Sequence, residues 1–175
     1  MGKFLPRSRH VVVSRPYDLA TTWNGLRAER DGRTWLEVIN RGVIEQVPLF
    51  QACDAVFQHN ISMALRPDVY LPGDFIIRKG DVGSEMFFLV KGEVEVLDGA
   101  GAIIATLGPG SFFGETSLLT SVPRTASIRT REYCEVFVLA KDEFNRVLRD
   151  HPQFAKSIAE ACETRYNVRV PPPVV

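Results

Sequence analysis

The spacing of apolar residues along this 175-residue chain changes twice. Trp35, Val38, Ile39, Val43 and Val47 recur near i, i+3, i+4, which predicts a helix from Thr34. Thr34 and Glu37 stand at capping-box spacing, and Pro48 is expected to stop the helix. A second short helix is expected from about Asp54 to Leu65, with Val56, Phe57, Ile61 and Leu65 as its apolar face. At Pro67 the texture becomes β-rich: VYLPGD, FIIRKGD, MFFLVKG, EVEVLDGAG, IIATLGPG, SFFGE, TASIRT and CEVFVLA follow one another, separated by turn residues. After Leu139 the helical period returns. Asp142 to Leu148 offers Phe144, Val147 and Leu148; Pro152 can occupy the first turn of a last helix with Phe154, Ile158, Ala161, Cys162 and Arg165 along one side. The VPPPVV ending cannot continue that helix.

These elements predict an α+β domain. An eight-stranded antiparallel β-roll, jelly-roll-like because few of its corners are hairpin dipeptides of the Asn-Gly type, is flanked by N-terminal helices and two C-terminal helices. A short helix is embedded among the strands at GETSLL. The boundaries are a basic arm over 1–33, leading helices over 34–66, the roll over 67–140, C-terminal helices over 141–168 and a proline-rich tail over 169–175.

Composition narrows the function. Lys plus Arg is 21 and Asp plus Glu is 21, so the chain lacks the basic footprint of a nucleic-acid binder, and any anion must be held locally. Cys53, Cys134 and Cys162 are odd in number and form no CxxC, which fits reduced thiols rather than zinc or a disulfide framework. No apolar run approaches the roughly 20 residues that span a bilayer, no signal-peptide core is present, and MGKFLP has Pro6 where a myristoylation signal needs Ser or Thr. GxSxG, HExxH, P-loop and DxDxDG patterns are missing, and His10, His59 and His151 lack partners at catalytic spacing. The expectation is a binding module and not an enzyme, with no metal and no cofactor.

Residues 110–128, GSFFGETSLLTSVPRTASI, hold the chemistry. A helix starting after Gly114 presents unpartnered backbone N–H groups, and glycine allows close approach to the backbone. Such donors favour an anion, and Arg124 with Thr125 can fold back over it to complete a phosphate site. Glu115 would repel a phosphate alone. It makes sense if the ligand also carries a hydroxyl next to the phosphate, as a ribose 2′-OH does.

FFGETSLLTSVPRTASI resembles the phosphate-binding cassette of cyclic nucleotide-binding domains, and YLPGDFIIRKGDVGSEMFFLVKGEVEVL resembles the first half of their β-roll. The wording is most similar to hyperpolarisation-activated and cyclic-nucleotide-gated ion channels. VINRGVIEQVPLFQACDAVF looks like the end of the channel C-linker, which would make 1–33 an arm or a C-linker remnant. The resemblance implies a cassette over 112–125 in which Glu115 takes the ribose 2′-OH. Gly114, Thr116 and Ser117 would donate to phosphate and sugar, Arg124 would pair with the phosphate, and Thr125 would serve the phosphate or a syn guanine. It places Val96, Ala105, Leu107 and Phe113 around the base, and Arg165 as a cap on a last helix that closes as a lid. The implied ligand is cAMP in preference to cGMP. The implied partners are a channel transmembrane domain in a longer chain and a homo-oligomer through the leading helices, on the cytoplasmic side of a membrane. A regulatory domain of a kinase, exchange factor or transcription regulator, and a degenerate domain that binds nothing, remain as alternatives.

Overall fold

The computed structural model of the protein describes residues 43–51 and 53–166, within the compact unit Leu36–Val175. The basic arm, the capping box at Thr34, most of the helix expected from it and the proline tail lie outside the described residues.

Residues 43–46 are helical, and Val43 and Val47 are fully buried. Pro48 does more than stop this helix: it opens the next, α1 (Pro48–Gln51). A proline at a first helical turn lacks only an N–H that would have had no partner there. Asp54 caps α2 (Ala55–Ala64) by accepting from the Phe57 amide at 2.8 Å. Phe57, Ile61 and Leu65 are buried as expected, but Val56 is 65% exposed. It sits one step round the helix from Phe57, beyond the edge of the apolar stripe.

Among the described residues, eight antiparallel strands form two four-stranded sheets. One has the order β1 (Arg66–Tyr70), β8 (Cys134–Ala140), β3 (Glu85–Lys91), β6 (Phe112–Phe113). The other has the order β2 (Phe75–Ile77), β7 (Ser127–Thr130), β4 (Val94–Leu97), β5 (Ile103–Leu107). No sequence neighbours pair except β4 with β5, so the chain crosses between sheets at nearly every turn, as the jelly-roll expectation requires.

The central strands β3 and β8 of the first sheet are buried on both faces, which is why MFFLV and VFVL run apolar without alternation. Phe87, Leu89, Phe113, Val136 and Val138 point between the sheets, where they meet Ile77, Val94, Val96 and Ile128. Met86, Phe88, Phe112, Phe137 and Leu139 point the other way, into a second core with the helices. α4 (Lys141–Asp150) brings Phe144, Val147 and Leu148 to that core, and α5 (Pro152–Tyr166) brings Phe154 and Ile158. Phe154 touches Phe50 at 5.9 Å, Phe57 at 4.6 Å and Phe144 at 6.4 Å between ring centroids. The start of α5 is therefore locked to α1, α2 and α4.

Candidate functional site

A cavity of about 360 Å³ opens between the sheets at the short helix α3 (Glu115–Thr120). Ile77, Val96, Ile104, Phe113, Ala126 and Ile128 make an apolar wall, and Gly114, Glu115, Thr116, Ser117, Arg124 and Thr125 make a polar one. An apolar lining with a few converging polar groups is the usual form of a small-molecule site. Eight of the eleven expected residues line it: Val96, Phe113 and the entire cassette set of Gly114, Glu115, Thr116, Ser117, Arg124 and Thr125.

The polar wall begins at Gly114, which adopts φ +85° as the residue preceding α3. A Cβ there would lie 2.7 Å from Nη1 of Arg124 and 3.1 Å from the Glu85 carbonyl oxygen, so both the backbone angle and the space exclude a side chain. The turn delivers Glu115 into the interior, where it is 1% exposed. Ser117, two residues further in the same helix, is 2% exposed. Thr125 is exposed at the cavity, and Thr116 is half-buried.

Arg124 is 8% exposed. Its guanidinium donates to two backbone carbonyls, from Nη1 to Gly114 at 2.7 Å and from Nη2 to Glu85 at 2.6 Å. Its main chain is tied to the β2–β3 loop on both sides: the Arg124 amide donates to the Asp81 carbonyl, and the Gly80 amide donates to the Arg124 carbonyl, each at 2.9 Å. Burial pulls the Arg124 pKa below its ordinary value, while the carboxylates of Glu85, Glu115 and Asp81 act in the opposite direction. A buried cation and a buried carboxylate thus face one cavity. Taking both out of water is costly unless each is compensated, and such pairs are a common mark of a functional site.

Two expected wall residues are not on the wall. Ala105 and Leu107 do not line the cavity; Ile104 does. The β4–β5 ladder carries a bulge: Val96 pairs with Ala105 and Leu97 with Ile103, so Ile104 is the extra residue between them. The bulge breaks the alternation of faces at Ile104, a local feature that the family resemblance does not announce. Leu107 packs against the core between the sheets instead. Arg165 lies in the last turn of α5, and its side chain is outside the described residues.

Sequence reasoning also missed contributors that act without a functional side chain. The Glu85 carbonyl receives Arg124, and Gly83 lies so close that a Cβ on it would be 2.6 Å from Arg124 Nε and 2.6 Å from Ser117 Cβ.

Comparison with known proteins agrees with this geometry. The family model described as Cyclic nucleotide-binding domain matches residues 67–151. The potassium/sodium hyperpolarization-activated cyclic nucleotide-gated channel 3 of Homo sapiens is 40% identical over 124 residues, covering 69% of this chain and 16% of the channel. Channel 2 of the same type from Mus musculus is 36% identical over 137 residues, covering 77% of this chain and 16% of the channel. The chain thus spans about one sixth of the length of these relatives. Among solved structures, cAMP-bound PfPKA-R (141–441) matches with a TM-score of 0.61 and 25% identity, over 71% of this chain and 47% of that one. The regulatory domain of Toxoplasma gondii PKA with cAMP shares the fold, with a TM-score of 0.60 and 24% identity over 75% of this chain and 51% of that one. With its β-roll, its cassette and its buried Glu115 and Arg124, the stretch 67–151 of this chain belongs to the cyclic nucleotide-binding domain family.

Proposed function

We propose that the cavity binds one cyclic nucleotide, cAMP in preference to cGMP, and that binding regulates an effector joined to the domain. One observation carries the reading: a carboxylate 1% exposed and a guanidinium 8% exposed line the same largely apolar cavity. Arg124 suits the cyclic phosphate, Glu115 suits the ribose 2′-OH, and the Val96, Ile104 and Ile128 wall suits the base. Gly114, Thr116, Ser117 and Thr125 surround the sugar-phosphate end. The likeness to cAMP-bound PfPKA-R supports cAMP as the ligand. The work is recognition, without bond making or breaking.

Removing the ribose hydroxyl tests the division of labour. A hydrogen bond to a charged group contributes about 1.5–3 kcal/mol, so 2′-deoxy-cAMP should bind roughly 10- to 150-fold more weakly than cAMP. Displacement of a fluorescent cAMP analogue measures both. Equal affinities would remove Glu115 from the sugar.

The effector we favour is a channel pore in a longer chain, with the domain on the cytoplasmic side of a membrane and leading helices that assemble copies; the channel relatives support this. Among the described residues no helix is long and apolar enough to cross a membrane. Signal transmission through α5 must respect its packing. Phe154 and Ile158 are 1% and 0% exposed and Ala161 packs against the same core, so the segment free to close over the base starts after Ala161 and not at Pro152. Hydrogen exchange should slow on adding cAMP in residues 162–166 and stay unchanged in 152–161. Equal response along the whole helix would contradict that hinge.

A further inference from the structure

We propose that Gly83, in the loop between β2 and β3, is a positioning residue for the anion-binding side of the cavity; the assignment deepens the cyclic-nucleotide reading and rests on it. Three observations carry it. First, the loop is fastened to Arg124 through the main chain, with Asp81 accepting from the Arg124 amide and Gly80 donating to the Arg124 carbonyl. Second, the residue two beyond Gly83, Glu85, supplies the carbonyl that receives Nη2 of Arg124 at 2.6 Å. Third, Gly83 presses on both halves of the polar wall at once. A Cβ at this position would stand 2.6 Å from Arg124 Nε, 2.7 Å from Arg124 Cζ and 2.6 Å from Ser117 Cβ.

Gly83 is not held at a positive φ, in contrast to Gly114, Gly80 and Gly92. Its backbone would therefore accept an alanine without strain, and the need for glycine is one of space alone. The contacts say what would yield. The guanidinium is the far end of a long side chain and can swing. The Ser117 Cβ is fixed to α3 and can move only with the helix. An added methyl therefore drives Arg124 away from the Gly114 and Glu85 carbonyls and pushes on the start of α3. Absence of a side chain at 83 keeps the cation aimed and the helix seated before any ligand arrives. A pre-placed cation avoids an ordering cost on binding.

The test is Gly83→Ala, with cAMP as the probe, in the full chain and again in an Arg124→Ala background. Gly83→Ala is expected to weaken cAMP roughly 10- to 100-fold when Arg124 is present, and by less than about threefold when it is not, because the misplaced group is then gone. The ligand-free protein supplies a second readout. The Arg124 side-chain Nε–H resonance should shift in Gly83→Ala while backbone amides of β1 and β8 stay in place. Equal losses in both backgrounds, or no loss, would overturn the assignment. If Gly83→Ala does not fold, the paired change Gly83→Ala with Ser117→Gly removes one obstructed atom and takes its place; failure of that chain to fold would make Gly83 a folding residue and also overturn the proposal. Unmodified chain measured alongside separates the two claims: no cAMP binding there sinks the cyclic-nucleotide reading, whereas normal binding with an indifferent Gly83→Ala sinks only the role of Gly83.

Discussion

Arg124→Ala is expected to lower cyclic-nucleotide affinity by roughly 30- to several-thousand-fold. Removing one member of a desolvated charge pair costs about 2–5 kcal/mol, most of it because the other charge is left buried without compensation. On the proposed reading that other charge is the phosphate of the cyclic nucleotide, facing a cavity that is also lined by Glu115. The substitution removes attraction and leaves repulsion. The structure adds an effect on folding. Arg124 donates to the Gly114 and Glu85 carbonyls, so alanine strands two acceptors on the cavity wall. Each such loss costs about 1–3 kcal/mol when water cannot replace the donor, and less where it can enter. Stability in urea should therefore fall together with affinity, though by less. An unchanged dissociation constant would place the phosphate elsewhere.

Phe154→Ala is expected to destabilise the fold by about 3–5 kcal/mol, the range for deleting a fully buried ring. Phe154 is 1% exposed and lies among Phe50, Phe57 and Phe144, so one ring joins α5 to three other helices. These neighbours are held by different elements and cannot all relax into one gap. The loss should appear in chemical denaturation, and α5 should exchange its amides faster than the strands do. A loss below about 1 kcal/mol would mean that α5 is not anchored there, and that the whole helix is free to move.

Much of this architecture was legible before any coordinates. Most strand runs are bracketed by Gly, Pro or Asp, the Arg131–Tyr133 connection before β8 being an exception, so the eight strands could be placed, and the cassette could be read because its chemistry resides in side chains such as Glu115 and Arg124. What escaped notice has physical reasons. The family resemblance places Ala105 and Leu107 on the wall, and the bulge that makes Ile104 an extra residue of the ladder is a local feature that no motif announces. An uninterrupted run such as MFFLV announces burial on two faces but not which residue meets which core. Pro48 signals a helix boundary equally well as an end or a beginning, and here it is both. The β2–β3 loop serves the site through a carbonyl of Glu85 and the missing Cβ of Gly83. A carbonyl is common to every residue, and a glycine in a turn-rich segment reads as a corner.

If Glu115 and Arg124 line a preformed site for one cyclic nucleotide, calorimetric titration of the unmodified chain with cAMP, repeated with cGMP, will show one site per chain at about −6 to −9 kcal/mol, or dissociation constants from roughly tens of micromolar to sub-micromolar, with cAMP the tighter ligand. No heat and no thermal stabilisation with either nucleotide at millimolar concentration would contradict it.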